Sequence, residues 1–358
     1  MDLKQYGWNS FFKEHLSKLN QDGLSPGRVA VENKNNHIIY SEYGELAGEM
    51  SGKMYFNCEN KVDFPAVGDW ILFRPFPEEK KAIIEDVMPR RTKFSRKSAG
   101  AKTDEQILAS NIDTVFIMTS MNKDLNLRRL ERYLILAKEN RIMPVIVLSK
   151  SDLCENPDVT FEELKDLFND VPSQMISCIT GYGLKEIRKY FTGNRTVALL
   201  GSSGVGKSTL INTLIGSDIM KVNEITGYKD KGVHTTTRRE LVVLQDGGMI
   251  IDTPGLRELQ LWEGSEGLSD IFSDIEALAQ SCRFKDCTHT KEPGCAVRKA
   301  FEDGTLDEDR LKSYNKMQRE INYFERRKYE SSILAERKKW KKIRKDVKQV
   351  MKMKYKQH

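Results

Sequence analysis

The pattern of hydrophobic and polar positions divides the chain into four segments. Up to about residue 27, apolar residues three or four apart predict a short helical lead-in that ends at Gly23 and Ser25-Pro26-Gly27. Residues 28–95 carry short apolar or alternating runs between polar turns, at 29–31, 37–40, 53–56, 69–73 and 82–84. Five such strands predict a small β-barrel of the OB-fold type, with an unrelated small β domain as the alternative.

The third segment, residues 103–262, alternates apolar strands with helical stretches and follows a basic connector that starts at Arg90. A helix is predicted from Leu127 to Asn140. The predicted strands are 112–118, 144–148, 174–177, 196–200, 240–244 and 249–251. This alternation predicts an α/β domain with a mostly parallel sheet covered on both faces.

The fourth segment, residues 263–358, begins with a cysteine cluster and continues as a long amphipathic helix. Thr305-Leu306-Asp307-Glu308 predicts a capping box at the start of that helix. One side of the helix is expected to pack, because its apolar positions are three or four residues apart. Those positions are Leu311, Tyr314, Met317, Ile321 and Phe324. The chain is therefore predicted to be a multidomain protein with a mostly helical C-terminal domain.

Composition and charge narrow the class of protein. No apolar run approaches the roughly 18 to 20 residues of a membrane span, and the mean hydropathy is −0.54, so a cytoplasmic protein without a secretory signal is predicted. Cys58, Cys154 and Cys178 are isolated while the other three cysteines cluster, which favours a metal site in a reducing compartment. Residues 311–358 hold 17 Lys and Arg against 5 Asp and Glu, a balance of +12 within a net charge of +6. This basic tail is expected to bind a polyanion.

A single motif predicts nucleotide binding by the α/β segment. After the predicted strand 196–200, nine residues match the Walker A pattern in its strand–loop–helix context: Gly201, Ser202, Ser203, Gly204, Val205, Gly206, Lys207, Ser208 and Thr209. Glycines let backbone N–H groups surround the β-phosphate, and the following helix N-terminus favours negative charge. Lys207 is expected to bridge the β- and γ-phosphates as a catalytic residue, and Ser208 to ligate Mg²⁺.

Further motifs favour GTP over ATP, although each is common by chance. Asp252-Thr253-Pro254-Gly255 ends a strand and fits the DxxG motif, whose aspartate holds Mg²⁺. In the polar loop before it, Thr235, Thr236 or Thr237 can be a further Mg²⁺ ligand, and Thr236 is the predicted one.

The base-reading motif, which normally follows DxxG, is instead found upstream as Ser149-Lys150-Ser151-Asp152. Asp152 can pair with the N1 and N2 hydrogens of guanine, and a backbone N–H of Ser177-Cys178 can meet guanine O6. Together the motifs form a complete G domain in permuted order, because circular permutation moves the termini while it keeps the sheet contacts.

With this order of motifs, the chain resembles the bacterial small-ribosomal-subunit-dependent GTPase A family, the circularly permuted GTPases of 30S biogenesis. The resemblance covers nearly the whole chain, including Pro65-Ala66-Val67-Gly68-Asp69-Trp70, His234-Thr235-Thr236-Thr237 and the cysteine cluster. It implies an OB-fold, a permuted GTPase domain and a zinc-binding C-terminal domain. It also implies a protein that assists late 30S maturation and hydrolyses GTP to GDP and phosphate with 30S stimulation. A monomer that contacts 16S rRNA is expected.

Two positions bear on the strength of binding and on turnover. The family has NKxD where this chain has Ser149, and serine has no amide to contact guanine N7 and brace the P-loop, so weaker nucleotide binding with retained guanine selectivity is expected. Leu256 stands where many GTPases have a glutamine that orients the attacking water, so intrinsic turnover is expected to be slow. His234 is the candidate substitute, and a histidine that merely packs or caps its loop is the alternative.

The cysteine cluster predicts a metal site. Cys282, Cys287, His289 and Cys295 suit one tetrahedral structural zinc ion, with three buried cysteines near a surface histidine as the alternative. Because the chain runs from DxxG directly into this cluster, nucleotide state is expected to move the zinc module. The basic residues of 337–345, with Trp340 among them, suit rRNA phosphates, and a solvated helix or disordered tail is the alternative.

Two other functions fit parts of the sequence. A GTP-regulated RNA-binding protein that does not act on the ribosome would share every motif and differ in its lack of 30S stimulation. An ATP-dependent transporter subunit or small-molecule kinase would explain the P-loop, but an LSGGQ-type signature and an acceptor lid are missing from the sequence. The sequence therefore favours a GTPase of 30S assembly.

Overall fold

The computed structural model describes residues 2–18, 23–33, 36–58, 60–97, 105–121, 125–216, 239–252, 265–323 and 326. These residues form two compact units. The first lies within Met1–Lys97 and Asp104–Gln260, and the second within Leu261–His358.

The helical lead-in at the start of the first unit is confirmed in shorter form. A 3-10 turn (Leu3–Tyr6) precedes helix α1 (Ser10–Ser17), whose N-cap Asn9 accepts a hydrogen bond from the N–H of Phe11 at 3.0 Å. Trp8 and the buried Phe12 pack on Trp70, with ring centroids 4.7 and 5.6 Å away. The lead-in therefore covers one of the largest buried side chains of the following barrel.

The OB-like barrel expected after the lead-in is confirmed. Its strands are β1 (Ser25–Glu32), β2 (His37–Ser41), β3 (Gly44–Met50), β4 (Trp70–Phe76) and β5 (Lys81–Val87). They pair in the circular order β1-β2-β3-β5-β4, and β4 pairs back onto β1 from Ser25↔Phe73 to Arg28↔Trp70. Val29, Ile39 and Phe73 are fully buried inside it.

Two details predicted for the barrel are wrong. Residues 53–56 are not a strand but belong to helix α2 (Gly52–Asn57), because Ser51 Oγ caps this helix by accepting from Met54 N at 3.1 Å. The strand that the pattern misses is β3, whose glycines interrupt its apolar alternation; a Cβ on Gly48 would lie 2.2 Å from Ile39 Cδ1. Likewise, Ser25-Pro26-Gly27 does not form a turn but starts β1, where proline is tolerated at the beginning of the strand.

The basic connector contains a two-stranded ladder. Strand β6 (Lys93–Lys97) pairs antiparallel with β7 (Glu105–Ser110). Lys93 Nζ lies 2.7 Å from Glu105 Oε1, and Phe94 is fully buried. The high density of cations in this segment conceals the alternating pattern of a strand.

The α/β segment forms the expected mostly parallel sheet. Its strands are β8 (Thr114–Ser120), β9 (Met143–Ser149), β10 (Ser173–Met175), β11 (Thr196–Gly201), β12 (Glu240–Val243) and β13 (Met249–Asp252). Their order is β10-β9-β8-β11-β13-β12, with β12 antiparallel to β13. Because β12 also pairs with β1 through Val31↔Glu240, the barrel and the parallel sheet form one eleven-stranded sheet.

Helices connect the strands of this sheet. They are α3 (Leu127–Glu139), α4 (Pro157–Leu167), α5 (Leu184–Arg188) and α6 (Lys207–Ile215). The helix predicted from Leu127 is α3, and its Leu130 and Leu134 are buried as its periodicity requires. Within the described parts of the chain, no helix has the length and apolar character needed to cross a bilayer.

A fully buried arginine joins the lead-in, the barrel and the parallel sheet. Burial lowers the pKa of Arg28 to about 10, which still leaves the guanidinium charged at neutral pH. Its donors bond to Tyr6 O (2.5 Å), Thr196 Oγ1 (2.9 Å), Asn111 O (3.1 Å) and Gly68 O (3.2 Å). Arg28 therefore fixes β1 against the first residue of β11.

A largely buried ion pair fixes the segment Pro65-Ala66-Val67-Gly68-Asp69-Trp70. The Asp69 carboxylate is fully buried and accepts from Ala66 N at 2.8 Å. Arg90 binds it through Nε (2.8 Å) and Nη2 (2.6 Å) and also donates to Val62 O. Asp69 and Arg90 thus tie the loop before β4 to the segment after β5.

We expect Arg90→Met to lower the free energy of unfolding by about 3–5 kcal/mol, because it leaves the buried Asp69 charge without its partner. Urea unfolding followed by tryptophan fluorescence measures the change. The control is Arg74→Met, which removes an exposed arginine of β4 and should change stability by less than about 0.5 kcal/mol. Equal stabilities of the two variants would contradict the role of Arg90 as the partner of the buried Asp69 charge.

The second unit is helical, as predicted. It contains α7 (Ser265–Ile271), α8 (Ser273–Ala279), α9 (Ala296–Glu302) and a helix over residues 308–323. Four of the predicted packing positions, Leu311, Tyr314, Met317 and Ile321, are buried, and Phe324 lies outside the described residues.

The predicted capping box of this last helix is wrong. Asp307 Oδ2 accepts from Arg310 N at 2.8 Å and so caps the helix. Thr305 is not available for this role, because its hydroxyl donates to Ala300 O of α9 at 2.9 Å.

Candidate nucleotide and metal sites

The predicted phosphate loop joins β11 to α6. A Cβ on Gly201 would lie 2.5 Å from Met118 O, so only glycine allows the loop to leave β11 this close to β8. Gly206 begins α6 with a φ of 96°, a conformation that side chains disfavour. Ser203, Gly204, Ser208 and Thr209 are exposed, so an anion can reach the loop and the start of α6 from solvent.

Lys207 and Asp252 place opposite charges at this loop. Lys207 Nζ donates to Gly201 O at 2.9 Å and to Ser202 O at 2.6 Å. Burial raises the pKa of the Asp252 carboxyl, and the nearby Lys207 ammonium lowers it. A cation and a carboxylate beside an exposed glycine loop suit the phosphates of a nucleotide together with a divalent cation.

The base motif at the end of β9 contacts the P-loop directly. Ser149 Oγ donates to Val205 O at 2.5 Å, and Lys150 Nζ donates to Gly204 O at 2.6 Å. The expectation that a serine at position 149 cannot brace the P-loop is therefore wrong. Its short hydroxyl reaches the loop because Ser149 and Val205 are both buried and lie within hydrogen-bond distance of each other.

The other residues predicted to read the base lie beside this contact. Asp152 is exposed on a 3-10 turn (Ser151–Leu153), and Ser151 N donates to Ile176 O at 3.2 Å. Burial raises the pKa of the Cys178 thiol, a hydrogen bond with Thr213 lowers it, and the charge of Asp152 raises it. Ser177 Oγ accepts from the N–H groups of Ile179 and Thr180 at 3.2 Å, which fixes the loop after β10. The structure thus brings together residues 149–152, 177–178 and 201–209.

Several predicted site residues cannot be placed. His234, Thr235, Thr236 and Gly255 lie outside the described residues, as does the basic segment 337–345. Asp252 is the described member of the DxxG motif.

The four predicted metal ligands converge in the second unit. One ligand atom from each of Cys282, Cys287, His289 and Cys295 lies within 4.8 Å of all the others. Three of the distances are 3.9 Å (Cys282 Sγ to Cys295 Sγ), 3.7 Å (Cys282 Sγ to His289 Nδ1) and 3.4 Å (His289 Nδ1 to Cys295 Sγ). Sulfurs about 2.3 Å from a tetrahedral zinc ion would be about 3.8 Å apart, so the set fits this ion.

The surroundings of the cluster shift its ligands in different directions. Burial, together with hydrogen bonds with the Cys295 and Cys282 sulfurs, raises the pKa of the Cys287 thiol to about 11. Burial raises the pKa of the Cys282 thiol, but hydrogen bonds from the backbone of Val297 and Ala296, together with those from the Cys295 and Cys287 thiols, lower it overall. Arg298 N lies 3.4 Å from Cys295 Sγ. Burial also lowers the pKa of His289, which keeps its imidazole neutral. Because His289 is buried, the alternative of a surface histidine is excluded.

The P-loop, the base motif upstream of it and the sheet order that joins them define a circularly permuted P-loop GTPase. The family model described as RsgA GTPase matches residues 87–262. The small ribosomal subunit biogenesis GTPase RsgA of Opitutus terrae is 43% identical over 352 residues, which cover 96% of this chain and 96% of that protein. The chain therefore belongs to the RsgA GTPase family and is a GTP hydrolase.

Solved structures show the same architecture. The crystal structure of YjeQ from Thermotoga maritima matches with a TM-score of 0.59 and 25% identity, covering 83% of this chain and 98% of that one. YloQ, described as a circularly permuted GTPase, matches with a TM-score of 0.59 and 24% identity, covering 85% and 96%. A family model described as 50S ribosome-binding GTPase matches residues 196–338. That match starts at β11 and leaves out the base motif upstream.

We expect Ser149→Ala to weaken GDP binding by about 5- to 30-fold, because it leaves the buried carbonyl of Val205 without this donor. Titration with a fluorescent GDP analogue measures the affinity. The control is Ser173→Ala, which removes another strand-end hydroxyl, bonded to Val171 O at 3.1 Å, and should leave the affinity unchanged. An unchanged affinity of Ser149→Ala would show that the bond to the P-loop is not needed.

Proposed function

We propose that this GTPase binds the 30S ribosomal subunit, assists its late maturation and is released when it hydrolyses GTP to GDP and phosphate. The observation that carries the proposal is the 43% identity to a named small-subunit biogenesis GTPase over 96% of both chains. The OB-like barrel supports it, since such barrels bind single-stranded nucleic acid. We further propose that the protein acts as a monomer in the cytoplasm.

The base motif and the P-loop have separate roles in this proposal. Asp152 pairs with the N1 and N2 hydrogens of guanine, while Ser149, Lys150 and Ser151 hold this turn beside the P-loop. A backbone N–H of Ser177-Cys178 meets guanine O6. Residues 201–209 hold the phosphates, and Lys207 neutralises the charge that develops on the γ-phosphate.

Two further sets of residues act at the phosphates: one holds Mg²⁺, and the other acts at the γ-phosphate and the attacking water. Ser208, Asp252 and Thr236 are the proposed residues for Mg²⁺, which neutralises charge on the β- and γ-phosphates when it is bound. Gly255 senses the γ-phosphate, and His234 orients the attacking water in place of the glutamine that Leu256 replaces.

We expect His234→Ala to reduce 30S-stimulated GTP turnover by about 10²-fold, the lower range of general-base contributions, with little change in GTP affinity. The measurement is phosphate release at saturating GTP. His15→Ala, which replaces a half-buried histidine of the lead-in helix, is the control. Unchanged stimulated turnover would show that His234 merely packs or caps its loop.

The C-terminal part of the chain provides a zinc site and a basic surface in this proposal. Cys282, Cys287, His289 and Cys295 bind one structural zinc ion, and the basic tail contacts 16S rRNA phosphates. The proposed domains are a lead-in (residues 1–27), an OB-fold (28–95), a permuted GTPase domain (103–262) and a zinc-binding domain with a basic tail (263–358).

Co-sedimentation with purified 30S and 50S subunits tests the proposed partner. The full chain with a non-hydrolysable GTP analogue should pellet with 30S subunits and much less with GDP. The apparent affinity should fall steeply with salt, as expected for contacts to phosphates. Equal binding to both subunits, independent of the nucleotide, would support a GTP-regulated RNA-binding protein without a ribosomal role.

A further inference from the structure

A transverse row of residues links the barrel to the nucleotide site. Val31 of β1 lies opposite Glu240 of β12, and Glu240 lies opposite Asp252 of β13. Asp252 in turn interacts electrostatically with Lys207 of the P-loop. Because neighbouring strands are about 4.8 Å apart, this row spans about 10 Å from the barrel to the carboxylate.

An ion pair stands next to this row. Arg239 Nη1 donates to Glu32 Oε2 at 3.0 Å, and the two side chains are 16% and 30% exposed. Glu32 is the last residue of β1, and Arg239 directly precedes β12. The pair therefore fastens the end of the barrel strand to the start of the strand that borders Asp252.

The energetics of this pair point to positioning rather than to stability. Burial raises the pKa of Glu32 although Arg239 lowers it, so the cost of desolvation exceeds the attraction. Apolar residues at such a site would stabilise the fold at least as well, since partly buried ion pairs contribute little net free energy. Unlike apolar residues, an ion pair at this place makes a directional contact that fixes β1 relative to β12.

The direction of β1 shows which end of the parallel sheet the Glu32–Arg239 pair contacts. In the middle of β1, Arg28 bonds to Thr196, the first residue of β11, and contacts Met249, the first residue of β13. At its end, Glu32 lies beside the row that contains Asp252, the last residue of β13. One barrel strand thus runs along the parallel sheet, from the ends remote from the nucleotide loops to the ends that carry them.

We propose that Glu32 and Arg239 are positioning residues that couple occupation of the barrel to the placement of Asp252, and so to 30S stimulation of GTP hydrolysis. The inference rests on the proposed function, since it assumes that the barrel contacts the 30S subunit. It requires no contact of Glu32 or Arg239 with GTP. Because the pair transmits a change to Asp252 only when the barrel is occupied, basal turnover should be independent of the pair, and stimulated turnover should depend on it.

The test compares basal and 30S-stimulated turnover of the full chain carrying Glu32→Gln, Arg239→Gln, or the exchange of Glu32→Arg with Arg239→Glu. Basal turnover should stay within about twofold of wild type in all three proteins. Stimulated turnover should fall at least tenfold in the two single variants and recover to within about threefold in the exchange. Thermal melting identifies any variant that fails to fold, and the glutamine variants keep the shape of the site.

A matched control and a binding assay separate the possible outcomes. Asp246→Asn breaks the exposed ion pair with Arg188 (2.7 Å), beyond the end of β12 opposite to Glu240, and should leave stimulation unchanged. Retained stimulation in the single variants, lost 30S binding in them, or an exchange that fails to restore stimulation would each overturn the coupling. If wild type itself binds 30S subunits but is not stimulated, the proposed function fails first and the coupling fails with it.

Discussion

Asp152→Asn should lower the affinity for GTP by about 100-fold and raise the affinity for xanthosine triphosphate by a similar factor. In the proposed site, the Asp152 carboxylate would accept from both N1–H and N2–H of guanine, and such charge-assisted bonds contribute about 1.5–3 kcal/mol each. Asparagine keeps one acceptor but presents an N–H group to the guanine amino group. Xanthine carries an oxygen at that position and can accept this N–H instead.

Competition against a fluorescent GDP analogue measures both affinities. Asp158→Asn, an exposed aspartate of α4, should change neither of them. Equal losses of GTP and xanthosine triphosphate binding would mean that Asp152 supports the turn and does not select the base. ATP affinity equal to that for GTP in wild type would contradict guanine recognition altogether.

Cys295→Ser should reduce the zinc content from about one ion per chain to less than about a tenth and unfold the second unit. A structural zinc site supplies roughly 10–16 kcal/mol of apparent binding free energy, which the small helical unit cannot replace. Cys295 has a second role here, since its Sγ accepts from Arg298 N at the start of α9. Metal analysis of the purified protein and hydrogen exchange over residues 265–323 measure the two effects.

Cys154→Ser provides the control, because this cysteine lies in the first unit and outside the cluster. The Cys154→Ser protein should retain its zinc and its protection from hydrogen exchange over residues 265–323. Wild-type protein that contains no stoichiometric zinc, or a Cys295→Ser protein with unchanged protection, would contradict the metal site.

Local motifs made much of the site predictable from the sequence. The P-loop and the cysteine cluster are each a short stretch of sequence, so the residue types in each stretch determine its local geometry and its chemistry. The base motif at 149–152 was predictable because it follows an apolar strand, and the structure brings it to the P-loop through the β9-β8-β11 order.

Features that depend on distant contacts could not be predicted in the same way. Ser149 bonds to a carbonyl 56 residues away, which local pattern does not encode. Arg28 stands next to an apolar run and gives no sign that it is fully buried. The pattern does not predict β3 for a related reason: Gly48 allows the close approach of Ile39, and the two glycines of this strand weaken the apolar alternation that predicts a strand.

GTP turnover with and without purified 30S subunits tests the central claim most directly, with 50S subunits and ATP as controls. The account predicts slow turnover by the protein alone, because Leu256 cannot orient water, and strong stimulation by 30S subunits with GTP alone. Turnover that 30S subunits leave unchanged, or that 50S subunits raise equally, would contradict a GTPase cycle driven by the small subunit.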